Sequence, residues 1–181
     1  ECMQIDPYIL MDEIAGKIKP CCDGVIYLPY LAGERTPHLD PYAKGVFYGL
    51  SAIHTKPHLL RAVMEGVVFS LMDCMQVIRG MGVGTAQVRA SGGGGKSALW
   101  RQMQADVFGI DVATTNSSEC GALGAAILAG VGTGVYDNVV SACDSIIKIK
   151  QSTVANKGIY DGNYRKYTKL YRALKEIFRE E

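Results

Sequence analysis

Residues 88–109, VRASGGGGKSALWRQMQADVFG, carry the residue types and spacing best suited to chemistry in this 181-residue chain. Gly92, Gly93, Gly94 and Gly95 strip the side chains from successive positions, so bare peptide can lie against a flat or charged ligand. Ser97 is placed to cap a helix in which Leu99, Met103 and Val107 recur at helical spacing. Val88 and Ala90 share one side of a short strand leading in. Strand, glycine turn and helix thus aim free N–H groups at the glycines, and a nucleotide is the natural guest. Three readings stay open on these residues alone. Ala90 to Ser97 reads A-x-x-x-x-G-K-S, a phosphate-wrapping P-loop with alanine where the strict form has glycine, in which Lys96 would reach the outer phosphate oxygens. In the second, the glycines pass flat against an adenine ring and ribose, and Lys96 is an ordinary solvated residue. The third is a tight turn with no ligand.

The other reactive side chains are dispersed. Cys2, Cys21, Cys22, Cys74, Cys120 and Cys143 include one adjacent pair but no C-x-x-C spacing, which predicts free thiols in a reducing, cytoplasmic setting. His38, His54 and His58 do not group with them at zinc-ligand spacing, and no metal site is expected in the chain. Pro57 speaks against one helix through His54 and His58, whose expected roles are a cap and a surface residue. The loop PYLAGERTPH, residues 29–38, mixes charge, proline and glycine and must follow a fixed irregular path. Glu34 and Arg35 there either approach a ligand or domain cleft, or form an ion pair that fixes the loop. Glu65 lies inside a helix beside Gly66, on an exposed flank or held by a backbone donor, and is given no catalytic role.

Size and charge limit the partners. A chain this long buries roughly 70% of its unfolded surface and needs no disulfides to fold. With a formal charge of +1 it has no strong field for nucleic acid or a membrane surface, so a small-molecule partner is expected. No apolar run reaches membrane-spanning length and no basic start precedes an apolar block. The opening ECMQIDPYILMDEI lacks an initiator methionine and reads as the interior of a larger protein.

The elements that would position the glycine stretch alternate. Residues 7–19 predict a short helix, residues 25–28 a compact strand and GVFYGL, 45–50, a second strand. Thr55 caps a long helix with Pro57 in its first turn, whose stripe is Leu60, Val63, Met64, Val67, Leu71, Met75 and Ile78. After the glycines come a strand over 110–115, a helix of small residues over 118–129 that Gly130, Gly132 and Gly134 end, and a helix over 139–148. In the tail, Tyr164, Tyr167, Tyr171, Leu174 and Phe178 share one helical face that should dock on the domain. The pattern is an α/β domain with a ligand at strand ends.

Four segments resemble a known family. Gly45 to Leu50, then His58-Leu59, then Ala62-Val63-Met64-Glu65, fit the C-terminal signature of the FGGY carbohydrate kinases. Tyr27-Leu28-Pro29-Tyr30-Leu31 followed by Gly33 to His38 is similar to the xylulokinases within that family. Ser91 to Ser97 with Leu99-Trp100-Arg101-Gln102 resembles their adenosine-binding segment, and Glu119 to Ala126 the helix after it.

That resemblance implies an actin-like, ribonuclease-H-like ATPase fold: a mixed sheet flanked by helices, and two such domains closing on ATP and a sugar. Residues 1–181 would be most of the C-terminal, nucleotide-binding domain, without the N-terminal sugar-binding domain. It implies ATP with Mg2+ as cofactors, phosphorylation of D-xylulose to D-xylulose 5-phosphate, and adenosine contact at Gly92, Gly93, Gly94 and Ser97. The family's general base is an aspartate upstream of the matched region, so no catalytic residue is expected in this chain and the chain alone should be inactive. The alternatives are a ribulose, gluconate or glycerol kinase, or a nucleotide-binding module without catalysis. The oligomeric state is open, with a homodimer among the options.

Overall fold

The apolar stripe expected between residues 60 and 78 folds into one long helix, and the other elements assemble on it. In the computed structural model, which describes residues 6–117 and 119–180, this helix, α2, spans Lys56–Gly80. Pro57 sits in its first turn, where a missing N–H costs nothing. The Thr55 amide donates to His58 Nδ1 at 3.1 Å, so His58 completes the cap. Val68, Phe69 and Met72 are buried along its inner face.

Ahead of α2 in the chain lie α1 (Pro7–Gly16) and the antiparallel pair β1 (Ile26–Pro29) and β2 (Gly45–Tyr48), with Ile26 opposite Tyr48. After it comes a mixed sheet of β3 (Val88–Ala90), β4 (Val112–Thr115) and β5 (Ile149–Thr153). β3 runs parallel to β4, and β5 pairs antiparallel on the other side of β4. Two helices, α3 (Gly92–Lys96) and α4 (Ala98–Phe108), cross from β3 to β4. Then follow α5 (Cys120–Gly132), α6 (Val139–Ile146) and the tail helix α7 (Asp161–Leu174). Ile26 and Leu28 of β1, Phe69 of α2, Met103 of α4, Val112 of β4 and Tyr167 of α7 belong to one apolar cluster, which joins both layers.

Several expectations need correction. The helix expected over 7–19 stops at Gly16. The strand expected to Leu50 stops at Tyr48, because Gly49 turns the chain with φ +84°. Gly109, φ +65°, caps α4 in the left-handed region, and β4 begins only at Val112. α5 runs through Gly130 and ends at Gly132, and Gly134 with φ +75° then turns the chain; Ser118, its expected start, lies outside the described residues. The helix expected to Lys148 ends at Ile146. Asn116 explains the stop: its amide group donates to the Ile146 carbonyl and its Oδ1 accepts from the Lys148 amide, handing the chain to β5. The tail docks as expected, with Tyr167 and Tyr171 of α7 buried; Phe178, expected on the same helix, is buried from a separate 3-10 turn over Ile177–Arg179.

β1 lies so close to α2 that a Cβ on Gly66 would come far inside van der Waals contact distance of the Tyr27 carbonyl oxygen. The backbone of a strand cannot retreat without moving its neighbours. Gly66→Ala is therefore expected to destabilise the chain by about 1–3 kcal/mol despite the higher helix propensity of alanine. Chemical denaturation of the variant measures this, and an unchanged or raised midpoint would contradict the packing.

Candidate functional site

The four glycines that follow β3 meet four different surroundings. Gly92 has φ +64°, a conformation that side chains resist, and a Cβ there or on Gly93 would enter open space. On Gly94 it would touch the Trp100 ring at 3.2 Å, and on Gly95 it would lie 2.9 Å from the Ala90 carbonyl oxygen. Gly95 therefore serves packing, letting the segment sit down on the end of β3. Gly92 and Gly93 present uncovered backbone.

The segment is one helical turn, α3, where a glycine turn leading straight into the next helix was expected. Ser97, extended at φ −72° and ψ 119°, separates it from α4, and its Oγ accepts from the Trp100 amide at 2.9 Å. The N-cap expected at Ser97 is present. This geometry opposes the P-loop reading, in which a lysine and a hydroxyl residue open a long helix and the hydroxyl serves a metal ion. Here Lys96 is exposed at the end of a short helix and the Ser97 hydroxyl is engaged as a cap. Next to Ser91, at the carboxyl ends of β3 and β4, opens a cavity of about 310 Å³ walled by Leu123 and Ile127 of α5 and by Ile147.

The loop around Glu34 is fixed from within. The Glu34 carboxylate accepts from the His38 amide at 2.7 Å, and the Glu34 and Asp40 backbones bond to each other. The loop is thus held by hydrogen bonds where an ion pair with Arg35 was the structural expectation. His38 stacks on Tyr171 with ring centroids 3.8 Å apart, and its Nε2 lies 3.6 Å from Asp73 Oδ2. The Tyr164 hydroxyl donates to Asp73 Oδ1 at 2.6 Å, and that of Tyr171 to Asp40 Oδ2 at 2.8 Å. Sequence reasoning passed over Asp40 and Asp73. The signal for Asp73 was a carboxylate one residue after Met72, on the buried face of α2.

Glu65 is buried and held by a backbone donor, the Cys21 amide at 3.1 Å, together with Arg61 Nε at 2.8 Å. The five described cysteines are free thiols, and Cys2 lies outside the described residues. Burial pushes the Cys21 thiol up to about 11, and Cys22 is raised further, so both stay protonated near neutrality. His54 Nδ1 accepts from the Ser51 amide at 2.9 Å. Among the described residues no group of three or more His, Cys, Asp or Glu could hold a metal ion. Nor is any helix long and apolar enough to cross a membrane.

Residues 8–133 match the model of the FGGY family of carbohydrate kinases, C-terminal domain. The chain belongs to this family. It is 36% identical to a xylulose kinase of Staphylococcus epidermidis over 91% of this chain and 34% of that protein. To a gluconokinase of Bacillus subtilis it is 37% identical, over 96% of this chain and 32% of the relative. The crystal structure of xylulose kinase from Rhodospirillum rubrum superposes with a TM-score of 0.83 at 29% identity, covering 96% of this chain and 35% of that one. The fold is thus the actin-like ATPase fold of these sugar kinases, and the chain spans about a third of the length of the relatives it matches.

Burial pushes the Asp73 carboxyl above the usual carboxylate range, against the pull of the Tyr164 hydroxyl and His38. A raised folded pKa means that the folded state holds the proton more tightly. Stability attributable to this group is therefore present below the ordinary carboxylate pKa and falls as pH rises from there through the folded value. Asp73→Asn keeps an acceptor for Tyr164 and removes that fall. Its stability relative to the parent chain should improve from pH 4 to pH 7, as denaturation midpoints at both will read. A variant that loses ground at pH 7 would mean instead that the carboxylate is held by a charged His38.

Proposed function

We propose that this chain forms the adenosine-binding wall of an ATP-dependent sugar kinase. The observation that carries the reading is the division among the glycines: Gly95 is used up by packing on β3 and Gly94 backs on the Trp100 ring on one side only, whereas at Gly92 and Gly93 the backbone is bare and faces open space. A side chain there would occupy room that nothing in the chain needs. Gly92, Gly93 and Gly94, with Ser97 at the start of α4, are the residues proposed to meet base and ribose, and Lys96 has no phosphate role. The adenosine half of ATP fits this backbone. No group of three or more His, Cys, Asp or Glu among the described residues could hold Mg2+ without the nucleotide, and the metal and the phosphates are assigned to the rest of the kinase polypeptide.

The reaction proposed for the complete kinase is transfer of the γ-phosphoryl group to a sugar hydroxyl, D-xylulose giving D-xylulose 5-phosphate. Xylulose is favoured by the resemblance of residues 27–38 to xylulokinases and by the relative of that name in Staphylococcus epidermidis; gluconate is the alternative, on the strength of the Bacillus subtilis relative. Phosphoryl transfer rests on positioning and on electrostatic stabilisation of the phosphates. This chain contributes the first through the nucleotide and lacks the expected aspartate base, so alone it binds and does not turn over. The N-terminal domain is the proposed partner, and the reading includes a cytoplasmic setting.

Calorimetric titration with adenosine, ADP, ATP and GTP tests the site. Adenosine should bind nearly as well as ATP and GTP should not bind. Gly93→Val should abolish the signal with the fold intact, because a Cβ there meets no atom of the chain within 4 Å. Affinity that vanishes without the β- and γ-phosphates and depends on Lys96 would overturn the reading in favour of a phosphate loop.

A further inference from the structure

Arg101 is the one buried cation in the helix that follows the glycines, with 6% of its surface exposed. Its partners are neutral. Nη1 donates to the carbonyl of Gly95 at 2.6 Å and to that of Lys96 at 3.0 Å, and Nη2 donates to Gln151 Oε1 on β5 at 3.1 Å. Its Nε is buried and finds no acceptor among the described residues. A charge buried against carbonyls, with the Nε N–H unpaired, is a costly way to hold two helices together. An apolar side chain of similar length would pack α4 on the sheet at lower cost.

What the guanidinium does uniquely is grip the last carbonyls of α3. A run of four glycines has little helix propensity of its own, each glycine costing about 1 kcal/mol relative to alanine. Two groups constrain it. Gly95 is pressed on β3 from below, and Arg101 holds its far end by two carbonyls, bracing them through Gln151 to the edge of the sheet. Both points lie on the inner side, so the outer backbone of Gly92 and Gly93 is left bare.

We infer that Arg101 is a positioning residue: it freezes the glycine turn in the shape that receives the nucleoside and so removes the ordering cost from binding. The inference rests on the adenosine reading of Gly92 and Gly93. A preordered turn binds more tightly than one that must be ordered by its ligand. Arg101 itself does not touch the ligand.

Hydrogen exchange and ADP titration of the full chain test it together. In Arg101→Met the amides of residues 92–97 should exchange at least tenfold faster while those of α2 and β4 keep their protection, and ADP affinity should fall roughly tenfold, the loss expected when charge-assisted hydrogen bonds are removed. Arg101→Lys, which keeps the charge but not the two-pronged grip, should fall between, and it gives the same reading should the methionine variant not fold. A merely structural arginine would lower protection everywhere and leave affinity per folded molecule unchanged. That result overturns the inference, as does faster exchange at 92–97 with ADP affinity unchanged. Gly93→Val separates the two levels: if it abolishes ADP binding while the Arg101 variants bind normally, only the positioning role fails. If Gly93→Val binds ADP as the parent does, or the parent binds none, the adenosine reading fails and the inference with it.

Discussion

Arg61 and Glu65 lie one helical turn apart inside α2, and the organisation of the first half of the chain depends on this buried pair. Besides its 2.8 Å contact with Glu65, Arg61 donates to the Ala15 and Ile18 carbonyls at the end of α1 and to the Tyr160 hydroxyl just before α7. Glu65 in turn accepts the Cys21 amide from the left-handed turn that leads into β1. Three segments are thereby tied to one charge pair of α2. Removing either partner would strand the other charge in the core, at a cost of about 3–5 kcal/mol. Gly66, the next residue, lets the β1 backbone close on the helix from the adjoining face. Glu65 and its neighbours are part of the FGGY signature in this sequence, and their work here is architectural.

The same economy governs the candidate site. The strand β3 delivers the chain to the glycines, α4 and β5 grip the far end, and only the middle is bare. Each constraint acts on backbone atoms: the Ala90 carbonyl against Gly95, and the Gly95 and Lys96 carbonyls on Arg101. The second anchor of α4 is Asp106, whose Oδ1 accepts from Gln102 and from both the amide and side chain of Asn156. α4 therefore fixes β5 at its middle, Gln151, and the chain just beyond it at Asn156. The loop around Glu34 is built in a comparable manner, with tyrosines of α7 supplying donors to Asp40 and Asp73. Its acids are engaged in holding the loop.

Long periodic segments were legible in the sequence because their signal is repeated many times. The stripe from Leu60 to Ile78 specifies α2, and the aromatic spacing of the tail specifies α7. The start of α4 at Ser97 was legible from capping chemistry. β5 was not, since IKQST has no apolar alternation, is mostly exposed and becomes a strand only by pairing with β4. Four glycines gave no reason to expect the helical turn of α3, whose conformation is imposed by the Ala90 carbonyl and by Arg101 braced on Gln151. Arg101 was hidden for the same reason, although an arginine one residue after Trp100 and two before Met103 on an amphipathic helix was a usable signal. Arg61 was visible in principle as the i, i+4 partner of Glu65 inside an apolar helix.

The central claim is that Gly92, Gly93, Gly94 and Ser97 meet a nucleoside. The most direct measurement is amide chemical-shift mapping of the 15N-labelled chain during titration with adenosine. The account predicts saturable shifts concentrated at residues 92–97, with the opposite side of α4 and the β1–β2 pair unmoved. Shifts concentrated instead at Leu123, Ile127 and Ile147, around the cavity between α5 and α6, with the glycine amides unmoved, would contradict it.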